Sequence, residues 1–194
     1  AENFSDGLIA EACDDAKILI TPRGVWEIYD YDCETQIVDN RIRLNGKSIG
    51  KHLATCEKLI CLSATVGIEI ETEITRRFSN GNYTSAILLD AAATSAIEQV
   101  ADSIENSIKQ KFSKDGFKTR WRFSPGYGDL SLNLQKDLLR ILDAPKNIGL
   151  TLTDSLLMMP SKSVTAFIGL TKEPQPDHEK DCAACPKTDC EFRR

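Results

Sequence analysis

The feature that most restricts the fold of this chain is one long amphipathic stretch, from about residue 84 to residue 112. Apolar side chains recur there at the helical period and fall on a single stripe. The stripe is formed by Ile97, Val100, Ala101, Ile104, Ile108 and Phe112. The spacing therefore predicts one long helix, and a helix of this kind must bury its stripe against a sheet or other helices.

Shorter elements are predicted on both sides of this helix. The compact apolar run 58–65 indicates a buried strand, and Ile70, Ile74 and Phe78 repeat every four residues, as in a helix that ends near Gly81. Short strands are predicted at 18–20, 42–44 and 119–123, short helices at 47–56 and 134–142, and a hairpin that joins 156–159 to 164–170 around 160–162.

Helices and strands alternate irregularly along the chain, which favours an α+β fold over a doubly wound parallel one. We expect a single domain with a twisted, largely antiparallel mixed sheet and packed helices, one of them long. No G-x-G-x-x-G follows a predicted strand, so a Rossmann dinucleotide site is not expected. The domain is predicted to span residues 1–170, followed by a polar linker and a Cys-rich tail over 171–194.

Composition narrows the classes of function. The 194 residues include 24 basic and 29 acidic side chains, a formal charge of −5, so binding to nucleic acid is not expected. No apolar run is long enough to cross a bilayer. No leader peptide with a basic and then an apolar segment is expected at the start, and a missing initiator Met is the simplest explanation for a sequence that begins with Ala1. Four scattered cysteines show no pairing pattern, which favours the cytoplasm: Cys13, Cys33, Cys56 and Cys61.

The segment Arg122-Phe-Ser-Pro-Gly-Tyr127 is the strongest candidate for a binding site. The guanidinium of Arg122 is a rigid fork of donors that matches a carboxylate. Pro125 fixes the backbone, and Gly126 allows a ligand to approach the main chain closely. Tyr127 adds a flat face and one hydrogen bond. The alternative is an ordinary turn, because Pro-Gly is a common turn dipeptide.

Four carboxylates lie on the predicted long helix. Asp90 falls close to the centre of the apolar stripe, where an unpaired charge would be costly, so a partner or a ligand is expected for it. Glu98, Asp102 and Glu105 lie to the side of the stripe and fit a solvated face.

The end of the chain carries Cys182, Cys185 and Cys190 within nine residues. Thiolates at this spacing suit zinc or an iron–sulfur cluster, although three cysteines are one short of a closed tetrahedral site. His178, Cys33 or another chain could complete it. A redox or disulfide role and a tail with idle thiols are the alternatives.

Several motifs follow Arg122–Tyr127 in order: the helix ending Ile141-Leu-Asp143, Ile148-Gly-Leu-Thr-Leu-Thr153, and Ser155-Leu-Leu-Met-Met-Pro160 followed by Ser163-Val164. This order resembles the reactivation (AdoMet-binding) domain of cobalamin-dependent methionine synthase. The similarity extends more weakly upstream, to Ser63-Ala-Thr-Val-Gly67 and the long helix carrying Asp90. It covers about residues 45–170, and it does not assign a cofactor to the Cys tail.

The resemblance implies that the protein binds S-adenosylmethionine (AdoMet). In this interpretation Arg122 pairs with the AdoMet carboxylate, and backbone around Ser124 and Gly126 holds its amine or adenine edge. Tyr127 and Asp90 match positions beside the methyl-transfer site. The family has an acid where this chain has Thr94, which Glu98 could replace, and another where it has Gly116, with Asp115 adjacent.

The resemblance also implies a reaction and partners. A cobalamin-carrying module would need a D-x-H-x-x-G motif, which this chain lacks, so the cobalamin is expected on a separate methionine synthase or related corrinoid protein. The expected activity is reductive methylation of that protein's cob(II)alamin, with a flavodoxin- or ferredoxin-like reductant, as part of the methyltransferase system. Two alternatives are a reductive activator that uses a metal centre at the Cys tail and a non-catalytic docking protein.

Overall fold

A computed structural model describes residues 5–173 of the chain. Its helices are α1 (Asp6–Leu19), α2 (Lys47–His52), α3 (Glu69–Ser79), α4 (Tyr83–Ser113), α5 (Leu134–Ile141) and α6 (Ala144–Ile148). Its strands are β1 (Arg23–Asp32), β2 (Ile37–Val38), β3 (Ile42–Arg43), β4 (Lys58–Thr65), β5 (Lys118–Thr119), β6 (Thr151–Leu152), β7 (Met158–Met159) and β8 (Ser163–Thr171).

A six-stranded sheet with the order β3-β2-β1-β4-β8-β5 forms the centre of the fold. Strand β4 pairs with β1 on one side and with β8 on the other, both antiparallel, so that Leu62 lies between Trp26 and Ala166. Because successive side chains of a strand point to opposite faces, β4, which is buried along nearly its whole length, must be covered on both sides. Leu59 of β4 accordingly packs on one face, and Ile60 packs on the other.

Different helices cover the two faces of the sheet. On one face, α4 packs with α1 and α3 and carries its apolar stripe along the sheet. The other face is covered by α2, α5 and α6. Gly24 of β1 allows α4 to come close, since a Cβ atom at this position would lie 2.5 Å from Ile104 Cδ1.

The structure confirms the α+β fold, the single domain and the long helix. The predicted buried strand coincides with β4, and the predicted helices correspond to α2, α3, α4 and α5 within a few residues. Every strand pairing in the described part of the chain is antiparallel, so the sheet is not mixed.

Two predicted elements were wrong. Residues 18–20 are the end of α1 rather than a strand, because α1 packs through the small side chains of Ala12 and Ala16 while Ile18 stays 81% exposed. The hairpin around 160–162 does not form, since β7 pairs with β6 and the buried strand β8 pairs with β4 and β5. Strand β1 was missed, and the strand at 119–123 is reduced to β5 and a bridge between Phe123 and Phe167.

Among residues 5–173, none of the helices is both long enough and apolar enough to cross a bilayer.

Candidate functional site

The Arg122–Tyr127 segment forms a tight kink that leaves the sheet at Phe123. Phe123 exchanges both backbone hydrogen bonds with Phe167 of β8, at 2.9 and 2.8 Å. Beyond it, Tyr127 N–H donates to Ser124 O at 3.0 Å, and Gly126 N–H donates to Leu130 O at 2.9 Å. Gly126 has a φ of +88°, a conformation that glycine adopts without strain. The kink is therefore closed by its own backbone hydrogen bonds and begins at Phe123, which is held in place by its pairing with β8.

Three aromatic side chains of this part of the chain contact one another in a row that leads from the buried Phe123 to the exposed Tyr127. The rings of Trp121 and Phe123 stack with centroids 5.4 Å apart, and Tyr127 meets Phe123 edge-on at 6.1 Å. Phe123 is buried, whereas Tyr127 is 65% exposed. The kink thus presents a phenol to solvent on an aromatic support.

Arg122 lies against three acidic side chains of α4. Its Nη2 is 2.7 Å from Asp102 Oδ1 and 3.5 Å from Glu98 Oε2. Its Nη1 is 2.8 Å from Glu105 Oε2 but lacks the alignment of a hydrogen bond. The Arg122 side chain is only 8% exposed, while those of Glu98 and Asp102 are 65% and 64% exposed. The guanidinium is thus buried, while two of its three acidic partners are mostly in solvent.

The charges in this cluster do not balance. Three carboxylates surround one guanidinium, which leaves two negative charges unmatched. Like charges held this close repel one another, and the repulsion is reduced when a further cation binds. The Arg122 cluster can therefore offer a fork of donors to an anion and, beside it, negative charge to a cation.

Asp90 lies elsewhere on α4. Its Oδ1 is 2.8 Å from Lys162 Nζ, which also donates to Thr94 Oγ1 at 2.9 Å. The Asp90 side chain is about half exposed, so its position is less central to the core than the stripe predicts. Glu98 follows Asp90 by eight residues, roughly 12 Å along the helix axis. The ion pair of Asp90 and the ion pairs of Arg122 therefore involve two separate parts of α4.

The structure brings together some of the residues predicted for a site and separates others. Arg122 contacts Glu98, and Tyr127 lies on the same kink as Ser124 and Gly126. Asp90 lies apart from them, with Lys162 as the partner that its position requires. The predicted metal ligands Cys182, Cys185 and Cys190 lie outside the described residues.

Sequence reasoning missed Asp102, Glu105 and Lys162 as partners in these clusters. Glu98, Asp102 and Glu105 follow one another by four and three residues, which places them on one helix face. The sequence predicts a solvated face for these three side chains. The prediction is correct for Glu98 and Asp102, but Glu105 packs against Arg122 and is only 23% exposed. An arginine placed opposite such a face was the pattern that could have revealed the cluster.

Four surface clefts of 260 to 420 Å³ in the described part of the chain are lined by residues other than Arg122, Asp90 and Tyr127. One of them gathers Gly67, Gly149 and Pro160, which come from three separate motifs of the sequence. Within residues 5–173, no three His, Cys, Asp or Glu side chains are grouped so that they could hold a metal ion.

Comparison with known proteins identifies the family. The fold is similar to that of a solved structure described as the MetH reactivation domain bound to AdoHcy, with a TM-score of 0.63 and 15% identity. The similarity covers 88% of this chain and 66% of that one. No curated protein matches the sequence. The family model for the activation domain of vitamin B12 dependent methionine synthase matches residues 51–176, well over half of the chain, and the protein belongs to this family.

Proposed function

We propose that this protein is a reactivation module that binds AdoMet and supports reductive methylation of cob(II)alamin held on a separate protein. The observation that carries the proposal is that the family match over residues 51–176 includes the whole Arg122–Tyr127 segment. In the reaction, one electron from an external reductant and the methyl group of AdoMet convert cob(II)alamin to methylcobalamin and leave AdoHcy. The chain itself supplies position and charge.

The Arg122 cluster fits the charges of AdoMet, which has an anionic carboxylate and two cationic groups, the ammonium and the sulfonium. The fork of Arg122 would bind the carboxylate, and the unmatched charge of Glu98, Asp102 and Glu105 would face the cations. For this to happen, Arg122 must exchange one acidic partner for the ligand. Asp102 is suited to that exchange because its side chain is mostly in solvent.

The kink would contact the rest of the ligand. Ser124 O and Gly126 N–H already bond within the loop, so additional contacts there would use the second lone pair of the carbonyl or the open backbone beside Gly126. Tyr127 offers its exposed ring and hydroxyl. Asp90, with Lys162, would make a second contact about two turns from Glu98 along α4, on the corrinoid side that its match to a family position beside the methyl-transfer site implies.

Reconstitution tests the proposal. A corrinoid protein loaded with cob(II)alamin is mixed with AdoMet, a flavodoxin or ferredoxin reductant and this protein, and methylcobalamin is followed by its visible spectrum. We expect formation that requires this protein and falls at least tenfold with Arg122→Ala. Arg140→Ala is the matched control, since it removes an exposed arginine of α5 that pairs only locally with Asp137. The same rate with and without this protein would refute the proposal.

The Cys tail supports a second, separable proposal. Cys182, Cys185 and Cys190 would bind zinc or an iron–sulfur cluster, and a cluster would make the protein a reductive activator of its corrinoid partner. Iron, sulfide and zinc analysis of anaerobically purified protein decides between these centres, with a Cys185→Ser variant as the control. In the described part of the chain Cys13, Cys33, Cys56 and Cys61 are free thiols, which supports our assignment of the protein to the cytoplasm.

A further inference from the structure

Helix α2 contacts the chain on both sides of the Arg122–Tyr127 segment. At the start of α2, the backbone N–H groups of Lys47 and Ser48 donate to the two carboxylate oxygens of Asp129, at 2.6 and 3.0 Å. At its end, His52 Nε2 lies 2.9 Å from the backbone oxygen of Trp121. The two contacted residues, Trp121 and Asp129, therefore lie on either side of the kink in the sequence.

The contact with Asp129 depends on close packing between two distant parts of the chain. A Cβ atom at Gly46 would lie 3.1 Å from Asp129 Oδ1, and one at Gly128 would lie 3.3 Å from Ser48 Oγ. Gly128 also has a φ of +54°. The hydrogen bonds from the Ser48 and Lys47 backbone lower the pKa of the Asp129 carboxyl, so the charged form that accepts both bonds is favoured.

The contact with His52 is partly buried and has a defined direction. A backbone oxygen only accepts hydrogen bonds, so His52 Nε2 must carry the proton that it shares with Trp121 O. The imidazole also packs on the rings of Trp121 and Phe123, with centroids 4.1 and 5.5 Å away. Burial lowers the pKa of His52, which favours the neutral ring in this position.

We propose that α2 is a positioning element for the candidate AdoMet site, in which His52 and Asp129 hold the Arg122–Tyr127 kink in its binding conformation before the ligand arrives. The inference rests on the proposed function. Neither side chain is expected to touch the ligand. A loop that is already held in its binding conformation loses less conformational entropy on binding. Removal of the His52 or Asp129 side chain should therefore weaken ligand binding without removing a ligand contact.

Two measurements on the same variants test this inference. Asp129→Ala and His52→Ala are compared with Asp129→Asn and His52→Gln, which keep an acceptor and a donor at these positions. Asp137→Ala, which removes an exposed carboxylate of α5, is the control. The first measurement is hydrogen exchange of the Gly126, Tyr127 and Leu130 amides in free protein, and the second is AdoHcy affinity by calorimetry.

We expect each alanine variant to exchange these three amides at least tenfold faster, while the Leu62 amide in the central strand keeps its rate. AdoHcy affinity should fall about tenfold in the alanine variants and be largely restored by the conservative ones. Unchanged exchange at the three amides would overturn the role of α2. Absence of AdoMet and AdoHcy binding by the wild-type protein would overturn the proposed function instead.

Discussion

Two arginines of this protein are each surrounded by carboxylates, but their surroundings differ. Arg77, 13% exposed, donates from Nε to Glu73, from Nη1 to Ser85 and from Nη2 to Asp15, and so connects α3 with α4 and α1. Arg122 is even less exposed, yet its Nη1 lacks an aligned acceptor, and two of its three acidic partners are mostly in solvent.

The comparison distinguishes the structural arginine Arg77 from Arg122, which we propose as a ligand contact. Around Arg77 each of the three guanidinium nitrogens donates a hydrogen bond and the acidic partners are partly buried, so an exchange of partners would break contacts among three helices. Around Arg122 the exposed partners belong to one helix and carry excess negative charge. Under our proposal, exchange of one of them for a zwitterionic ligand would break contacts with α4 alone.

The largest expected effect is on stability. Arg77→Ala should lower the free energy of unfolding by about 2–3 kcal/mol, because it leaves Glu73 and Asp15 without their shared partner. We expect less than for a fully buried ion pair, since the Asp15 side chain is about a third exposed. Arg76→Ala, which removes an exposed partner of Glu73, should lower the free energy of unfolding far less. Urea unfolding measures both, and equal losses would contradict the structural role of Arg77.

The second effect is on ligand choice. The double variant Glu98→Gln/Asp102→Asn should weaken AdoMet binding about three- to tenfold, since each exposed charge contributes roughly 0.2–1 kcal/mol. AdoHcy binding should fall less, because AdoHcy lacks the sulfonium charge. Calorimetry with both ligands is the measurement, and Asp137→Asn is the control. Equal losses for the two ligands would show that the acidic side chains do not face the sulfonium.

The smallest effect is on the pH dependence of stability. The Arg76 and Arg77 guanidinium groups lower the pKa of Glu73 from 4.5 to about 2. A lowered pKa in the folded state stabilises the fold above the unfolded value, and this stabilisation disappears as the pH falls through the folded value. The difference in unfolding free energy between wild type and Glu73→Gln should therefore be largest above pH ~5 and shrink toward pH ~2. A difference that stays constant over this range would be inconsistent with the pairing.

The sequence predicted the elements whose buried side chains are large and periodic. Strand β4 and helix α4 were recognised because Leu, Ile and Phe mark their buried faces. Helix α1 was not, because it packs through Ala12 and Ala16, which give a weak apolar pattern. The partners of β7 depend on contacts between distant segments, which local patterns do not contain.

The same distinction applies to the candidate site. Pro125 and Gly126 predict a kink next to Arg122, and the structure contains one. The spacing of Glu98, Asp102 and Glu105 marks an acidic face of α4, but its pairing with Arg122 depends on how α4 packs against the segment after β5. Likewise, Lys162 and Asp90 are 72 residues apart in the sequence and meet only because β8 starts beside α4.

Whether Arg122 binds AdoMet can be measured by calorimetric titration of AdoMet into wild type, Arg122→Ala and Arg140→Ala. We expect wild type and Arg140→Ala to bind with the same affinity and Arg122→Ala to bind at least tenfold more weakly while remaining folded by circular dichroism. The lost fork of charged hydrogen bonds is the physical reason. Equal AdoMet affinity in folded Arg122→Ala would contradict the account and remove the Arg122 cluster from the ligand site.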